Sequence, residues 1–332
     1  RYTLKLNKLR KADIDVLNRG TIVHYVLENI INSYKKDICN LSKDQIDAEI
    51  SRLMQRYIEG VSGGEFIKSK RFDFLFSRIE EMTRQVVYHI KEEFLNSEFE
   101  PLYCELDIGR DIPSLKVNAE KNVTVGGKID RTDIYRGEDN YVRVIDYKTG
   151  HNSVRLPNIL YGLNLQMLIY LYAVIKNSDP ADRLKPAGVF YMPAKSGFKN
   201  EGESGEPLCM NGVMLDDDDI MNKMEIDRKG RFVPKKAKAG RKDNPEISPS
   251  DFDTIFKFLD YKIEQMANTL IKGDCSVTPH ATNNADSCKY CDFKAVCRLE
   301  NLNKIEKVDY KQSNEDTLRL MKELSENGIQ TD

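Results

Sequence analysis

Three ionisable side chains in the middle of the chain have types and spacing that suit cleavage of a phosphodiester. Asp130 lies in the segment 127–133, and Asp146 and Lys148 lie two residues apart in the segment 144–150. Side chains two apart on a β-strand point to the same face, so a strand over 141–148 would place Asp146 beside Lys148. Mg²⁺ prefers carboxylate oxygens, and a neighbouring ammonium can position water or stabilise developing negative charge. These residues are therefore candidates for a metal-dependent site.

A β-hairpin can bring Asp130 next to Asp146. The pattern predicts a strand over 122–135, and the polar, Gly-containing loop 136–140 is typical of a hairpin connection. The strand 141–148 is otherwise apolar on both faces. Such a buried strand rarely contains Asp and Lys unless they have a functional role. The alternative is a surface ion pair, which is common and contributes little free energy.

Further short motifs lie in a fixed order along residues 15–300. In chain order the motifs are Arg19-Gly20-Thr21-x-x-His24, Glu105, Gly127-x-Ile129-Asp130-Arg131, Asp146-Tyr147-Lys148, Gln166-x-x-x-Tyr170, Pro186-Ala187-Gly188-Val189-Phe190-Tyr191 and Cys288-x-x-Cys291-x5-Cys297. Each motif is weak alone, but their order resembles the RecB-like branch of the PD-(D/E)xK nuclease superfamily. The resemblance is strongest to the C-terminal nuclease domains of AddB subunits of bacterial AddAB helicase-nucleases. It implies an α/β fold with a restriction-endonuclease-like core, in which helices flank a central mixed β-sheet.

The resemblance also implies a role for each matching residue of the central site. His24 would add a ligand to the metal ion, together with the carboxylates of Asp130 and Asp146 and the main-chain carbonyl of Tyr147. Lys148 would be the catalytic lysine. Helical spacing alone favours a plainly structural histidine at position 24, because border histidines are more often hydrogen-bonded than metal-bound.

Four other residues are candidates near this centre. Glu105 matches an acidic position on the strand before the hairpin, and Asp133 is a possible secondary ligand close to Asp130. Gln166 and Tyr170 match a motif that orients the lysine region or contacts DNA. Spacing alone is equally consistent with a polar rim on a buried helix, since residues four apart share one helix face.

The cysteines predict a second metal site. Cys288, Cys291 and Cys297 are spaced closely enough to bind Zn²⁺ or an iron–sulfur cluster, and both normally take four protein ligands. The family resemblance implies a [4Fe–4S] cluster whose fourth cysteine precedes the first nuclease motif, upstream of Arg1. Because the chain begins with Arg, we expect the cluster to be absent or incomplete in this sequence, with Cys275 the best local substitute.

Composition restricts the cellular setting. The chain has 332 residues and a formal charge of −2, so no global basic field indicates a nucleic-acid partner. Seven cysteines, an odd number, and no signal-like or membrane-length apolar stretch favour a reducing cytoplasm and no membrane. Residues 228–242 hold eight basic side chains around Phe232. That segment is either a mobile arm that contacts phosphates or a solvated loop.

The predicted organisation has three parts. These are an N-terminal helical part (1–98), a nuclease core (99–300) with an insertion at 194–245 and a cysteine segment at 275–300, and a C-terminal helical appendage (301–332). The capping box Ser42-x-x-Gln45 opens a helix of the first part. The predicted core elements are strands near 101–109, 114–119, 122–135, 141–148 and 186–193 and helices over 157–176 and 250–272.

Together these features predict a Mg²⁺- or Mn²⁺-dependent DNA exonuclease domain. The resemblance implies a part in double-strand break resection and recombinational repair, on the 5′-terminated strand, with an AddA-like helicase partner. The chain has no Gly-x-x-x-x-Gly-Lys-Ser/Thr phosphate loop, so it carries no motor of its own. The alternatives are an inactive nuclease fold that binds DNA or acts as a scaffold, a zinc-ribbon-like scaffold, and a CRISPR-adaptation-type nuclease. The segments 186–191 and 210–215 count against the last.

Overall fold

The computed structural model describes residues 16–62, 70–119, 121–150, 154–194, 208–235, 245–274, 276, 279–281, 288, 291, 293, 306–307 and 312–327. The helices are α1 (Val16–Tyr34), α2 (Lys43–Ser62), α3 (Lys70–Leu95), α4 (Leu156–Leu160), α5 (Gln166–Lys176), α6 (Asp218–Met224), α7 (Pro249–Ile271) and α8 (Asn314–Asn327), with 3-10 turns at Lys35–Asn40 and Pro180–Asp182. The strands are β1 (Glu100–Ile108), β2 (Leu115–Val117), β3 (Val123–Val125), β4 (Gly127–Arg136), β5 (Asn140–Lys148), β6 (Leu184–Pro193), β7 (Asn211–Leu215), β8 (Glu246–Ile247), β9 (His280–Ala281) and β10 (Glu306–Lys307).

Six strands form one mixed sheet at the centre of the molecule. The strand order is β1-β4-β5-β6-β7-β8, with β5 antiparallel to β4 and parallel to β6. Because β5 has a strand on each side and helices against its faces, its residues from Val142 to Tyr147 are all buried. The predicted α/β fold with a central mixed sheet is confirmed.

The N-terminal helices follow the sequence prediction closely. The predicted capping box forms at the start of α2, where the Ser42 N–H donates to Gln45 Oε1 (2.8 Å) and the Gln45 N–H donates to Ser42 Oγ (3.2 Å). These bonds satisfy two amides that a helix start otherwise leaves unpaired. Apolar side chains of α1, α2 and α3 join the same buried core as the sheet, so these helices are packed onto it.

Two predicted elements are each divided. The helix predicted over 157–176 is broken between α4 and α5, where Gly162 (φ 81°) and Asn164 (φ 59°) adopt left-handed backbone conformations that an α-helix excludes. The strand predicted over 122–135 is interrupted at Gly126. A Cβ there would lie 2.6 Å from the carbonyl oxygen of Ile108, and the preceding strand β3 pairs with β2 outside the main sheet.

The basic segment packs on the core over the residues that the structure describes. Phe232 is fully buried, with its ring centroid 5.0 Å from that of His89 on α3, and Arg231 pairs with Glu92. The predictions of a mobile arm or a solvated loop are therefore wrong for 228–235, because an apolar ring in this segment has a pocket on α3. Residues 236–244 lie outside the described chain.

The predicted insertion and the C-terminal helix also contribute to the core. Within 194–245, β7 pairs with β6 and α6 follows it. Helix α8 packs on α7 and buries Thr317 and Met321 completely. The division into three parts, with this helix as a C-terminal appendage, stays a prediction. Among the described residues, no helix is both long and apolar enough to cross a bilayer.

Candidate metal centre

The hairpin of β4 and β5 places the two predicted aspartates side by side. Arg131 lies opposite Ile145 in the antiparallel register, so the adjoining position pairs Asp130 with Asp146. Residues directly opposite in such a pair share one face of the sheet. The Tyr147 N–H donates to Asp130 Oδ2 at 2.8 Å, which fixes this carboxylate against the neighbouring strand. We call the face that carries Asp130, Asp146 and Lys148 the front face.

Lys148 contacts Asp146 as the spacing of two residues predicts. Its Nζ lies 2.6 Å from Asp146 Oδ2 and 5.7 Å from the ring centroid of Tyr191, which is the residue opposite Asp146 on β6. The Asp146 side chain is only 6% exposed, whereas that of Lys148 is 30% exposed. The ammonium therefore lies at the opening of a buried acidic site, held on one side by a carboxylate and on another by an aromatic ring.

Helix α1 brings His24 to the front face. Its Nε2 lies 3.0 Å from the main-chain oxygen of Tyr147, and its Nδ1 lies 3.5 Å from Asp130 Oδ1 and 3.6 Å from Glu105 Oε1. The imidazole, the Asp130 carboxylate and the Glu105 carboxylate each offer a donor atom, and all three atoms lie within 4.8 Å of one another. Two carboxylates and one imidazole within that distance fit a divalent metal ion.

Glu105 has a strained backbone at this position. It lies inside β1, yet its φ is 55°, in the left-handed region that residues other than glycine rarely adopt. The conformation turns the side chain towards His24, and Glu105 Oε2 also lies 2.5 Å from Lys128 Nζ. The sequence contains no turn signal that would have predicted this conformation.

The electrostatics of the centre favour a bound cation. Burial disfavours a charged imidazole, but the Asp130 and Glu105 carboxylates outweigh it and raise the pKa of His24 to about 10. Burial and the neighbouring Asp130 raise the pKa of Asp146 to about 6, although the Lys148 ammonium opposes the shift. Closely spaced carboxylates repel one another until a positive charge lies between them.

Asp133 is not part of this centre, and the prediction of a secondary ligand there is wrong. It is three residues from Asp130 on the same strand, and an odd separation places it on the opposite face of the sheet. There its carboxylate is fully buried and accepts hydrogen bonds from Arg131 Nη2 (2.9 Å) and Arg143 Nε (3.0 Å).

Gln166 and Tyr170 share one face of α5 as predicted. Gln166 Nε2 donates to the Tyr170 hydroxyl at 3.0 Å, and Gln166 is exposed whereas Tyr170 is buried. The Tyr170 ring lies directly over Gly127, at the start of β4. Within the described chain neither side chain forms a hydrogen bond with Lys148, so the structure places this pair beside the hairpin and not on the lysine.

The cysteine cluster is only partly described. Among the described residues of this segment, the Cys291 N–H donates to the Cys288 carbonyl at 3.2 Å, and the Phe293 N–H donates to Cys291 Sγ at 3.4 Å. The predicted ligands Cys275 and Cys297 lie outside the described residues. Whether the cysteines share a metal site stays a prediction.

Sequence reasoning missed two side chains that contact the predicted site residues. Lys128 pairs with Glu105, and Tyr191 lies against Lys148. Lys128 had a usable signal, because it is two residues from Asp130 on the same strand and must share its face. For Tyr191 the only signal was its place in the motif 186–191, because its contact with Lys148 depends on which strand lies next to β5.

Comparison with known proteins gives one family profile and several relatives. The profile of the PD-(D/E)XK nuclease superfamily matches residues 1–298. The chain is 28% identical over 360 residues to a subunit of the ATP-dependent helicase/deoxyribonuclease of Thermoanaerobacter sp., covering 100% of this chain and 31% of that protein. The corresponding protein of Clostridioides difficile, which has the same name, is 28% identical over 353 residues, covering 97% of this chain and 30% of that protein. The chain thus spans about three tenths of the length of these relatives.

Proposed function

Because the chain belongs to the PD-(D/E)XK nuclease superfamily, we propose that it is the metal-dependent deoxyribonuclease domain of a helicase-nuclease. One observation supports this most strongly: His24, Glu105 and Asp130 converge beside the Asp146–Lys148 pair. Acidic groups, an imidazole and an ammonium in one partly buried site are the parts that phosphodiester hydrolysis requires.

The proposed ion is Mg²⁺ or Mn²⁺, held by His24, Asp130, Asp146 and the main-chain carbonyl of Tyr147. The donor set is rich in oxygen, as these hard cations prefer. Bound there, the ion would supply Lewis-acid activation of the phosphodiester and of the attacking water. Glu105 contacts the same imidazole as Asp130 and adds negative charge to the centre. It supports the same function either as a ligand or by orienting His24.

Lys148 is the proposed catalytic lysine. Asp146 holds its ammonium in place at 2.6 Å, and the Tyr191 ring limits its motion on another side. An ammonium fixed at the opening of a buried site can orient water and stabilise the negative charge that develops on phosphate during cleavage. We assign Gln166, which is exposed, and Tyr170, which holds its amide, to contact with the DNA or support of the lysine region.

The proposed substrate and partner follow from the names of the relatives. Those proteins are named as subunits of an ATP-dependent helicase/deoxyribonuclease. We therefore propose that this chain degrades DNA and acts with a helicase partner. The order of its motifs, which resembles that of AddB nuclease domains, supports the finer proposal of an exonuclease that acts on the 5′-terminated strand of an unwound duplex, during recombinational repair in the cytoplasm. The cysteines Cys288, Cys291 and Cys297 would hold a [4Fe–4S] cluster with one further thiolate. Anaerobic iron and sulfide analysis of the purified chain measures the occupancy, and a full cluster would contradict the absent or incomplete one that we expect.

Incubation of linear single-stranded DNA with the protein, in Mg²⁺ or in EDTA, tests the nuclease. We expect loss of DNA in Mg²⁺ only, and at least about a hundredfold slower loss with Lys148→Ala, because removal of one charge-stabilising group commonly costs that much. Lys185→Ala is a matched control, since Lys185 lies at the opposite end of the sheet and pairs with Asp139 on the surface.

Two results would count against the proposal. Cleavage that persists in EDTA would show that the reaction does not require the metal ion. Cleavage that survives Lys148→Ala at the wild-type rate would indicate a contaminating nuclease, and the chain would then be better described as an inactive nuclease fold.

A further inference from the structure

The opposite face of the hairpin carries a buried group of four charged side chains that the proposed reaction does not use. We call this group the back-face quartet; its members are Glu93 on α3, Arg131 and Asp133 on β4, and Arg143 on β5. All four side chains are fully buried. Arg131 Nη2 lies 2.8 Å from Glu93 Oε1 and 2.9 Å from Asp133 Oδ2, while Arg143 contacts both acids. Charges alternate around the group, so its formal charges cancel.

Stability alone is a weak explanation for the quartet. Removing four charges from water is costly, and buried ion pairs can often be replaced by apolar side chains without loss of stability. The quartet is also incompletely paired. Arg131 Nε, Asp133 Oδ1 and Arg143 Nη1 are buried atoms without a hydrogen-bond partner within the protein, among the residues described. An incompletely satisfied polar group is less stabilising than an apolar core of the same shape.

The quartet does fix one quantity on which the metal centre depends, the register of β4 against β5. Asp133 and Arg143 lie directly opposite each other in the antiparallel pair of β4 and β5, and their side chains are hydrogen-bonded to each other. A slip by two residues would keep every side chain on its face but would separate Asp133 from Arg143. The same slip would separate Asp130 from Asp146 on the front face. The register that pairs Asp133 with Arg143 therefore also pairs Asp130 with Asp146.

Tyr147 connects the quartet to the metal centre through a single residue. Its side chain lies on the back face, where its hydroxyl accepts from Arg131 Nη1 at 3.4 Å. Its main chain lies at the front face, where the N–H donates to Asp130 Oδ2 (2.8 Å) and the carbonyl oxygen lies 3.0 Å from His24 Nε2. A restraint on the Tyr147 ring therefore also restrains the Tyr147 N–H, which contacts Asp130, and the Tyr147 carbonyl, which contacts His24.

We propose that Arg131 is a positioning residue for the metal centre, acting through Tyr147 and through the register that the back-face quartet sets. This inference rests on the proposed function, because it concerns the same site. Arg131 touches neither metal nor DNA in this scheme. Arg131 fixes the positions of the Asp130 carboxylate and the Tyr147 carbonyl before a metal ion binds. Pre-arranged ligands bind a cation more tightly than mobile ones.

The test measures Mn²⁺ binding to the whole chain without DNA, by calorimetric titration, in wild type, Tyr147→Phe and Arg131→Lys. We expect Mn²⁺ to bind about tenfold more weakly to Arg131→Lys, and measurably more weakly to Tyr147→Phe, because loss of a group that orients a ligand typically costs at least tenfold. Hydrogen exchange of the Tyr147 amide should be faster in both. Tyr135→Phe is the matched control, since Tyr135 is on the same hairpin but packs on Phe99, away from the centre.

A purely structural role would lower the thermal midpoint and leave the Kd for Mn²⁺ at 25 °C unchanged in the folded variants. That result would overturn the inference. If Arg131→Lys does not fold, Tyr147→Phe decides alone, because it removes one hydroxyl and keeps the ring. Failure of the wild type itself to bind Mn²⁺ or to cleave DNA would refute the proposed function instead. The two ideas can therefore fail separately.

Discussion

The ring of Tyr170 lies so close to Gly127 that no other residue fits there without movement. A Cβ built on Gly127 would lie 2.6 Å from Tyr170 Cε1, well inside contact distance, and the hydroxyl of the same ring accepts a hydrogen bond from Gln166. Gly127 begins the strand that carries Asp130 three residues later. The contact therefore sets the spacing between helix α5 and the strand of the metal centre.

Gly127→Ala should lower the free energy of unfolding by about 1–3 kcal/mol, the usual result of overpacking. In a Tyr170→Leu background the same substitution should cost clearly less, because the smaller side chain leaves room for the methyl group. Urea unfolding of the four proteins of this cycle gives the coupling energy. Gly60→Ala is the control; it lies in α2 with open space around its Cβ and should raise stability by about 0.5–1 kcal/mol. Additive effects of the two substitutions would contradict the contact.

The backbone strain at Glu105 predicts an unusual order of stability. Glu105→Gly should be more stable than Glu105→Ala by about 1 kcal/mol, because φ 55° is strained for alanine and not for glycine. Glycine is normally the less stable choice inside a strand. Both variants lack the carboxylate, so both should bind Mn²⁺ more weakly than wild type. Thermal unfolding at one pH measures the difference, and the ordinary order, with alanine more stable, would show that the strain is absent.

Metal binding and cleavage should separate between two residues of the centre. Asp130→Asn should weaken Mn²⁺ binding and cleavage together, because Asp130 is a proposed ligand of the ion and its carboxylate lies beside His24. Lys148→Met should retain Mn²⁺ binding and lose cleavage, since an ammonium cannot be a metal ligand. Titration with Mn²⁺ followed by a DNA assay on the same samples measures both quantities. Loss of Mn²⁺ binding in folded Lys148→Met would show that this lysine supports the site instead of the reaction.

His89 predicts a loss of stability in mild acid. Burial lowers the pKa of this imidazole below its ordinary value of 6.5, against the opposing effect of Glu93 and Glu92. Its other charged neighbours are Arg231 and Arg131. The unfolded chain therefore binds a proton below pH 6.5 that the folded chain resists, so stability falls as the pH drops. One such group contributes at most about 1.4 kcal/mol per pH unit.

Urea unfolding at pH 7.5 and 5.5 measures this effect. His89→Phe, which keeps an aromatic ring against Phe232, should show a smaller fall than wild type. The comparison between the two proteins cancels the other titrating groups. An equal fall in both proteins would mean that His89 is not held neutral by the fold.

Local patterns in the sequence were enough to predict the hairpin and one ion pair. Two-residue periodicity placed Asp146 beside Lys148, and a polar loop of hairpin length brought Asp130 opposite Asp146. The capping box at Ser42 was also predicted, since it depends on neighbours within one turn. Such features need no knowledge of distant segments.

Contacts between distant segments decided the remainder. The same two-residue periodicity also places Asp133 on the back face, because Asp133 is three residues from Asp130. The sequence does not indicate, however, that Asp133 pairs there with Arg143, or that Arg143 also pairs with Glu93. Phe232 looked like part of a basic arm because its partner, His89, is far away in sequence. The breaks at Gly162 and Asn164 follow from packing that overrides the helical pattern.

Strand alternation predicted the hairpin, and the order of the motifs along the chain predicted the family and nominated Asp130, Asp146 and Lys148 as candidate site residues. The approach of His24 and a strained Glu105 to Asp130, and the buried group of opposite charges on the other face, could be seen only in the folded chain. Helices α1 and α3 contact the hairpin from segments that are far away in sequence. Their positions are set by side-chain packing, which cannot be read from the order of residues along the chain.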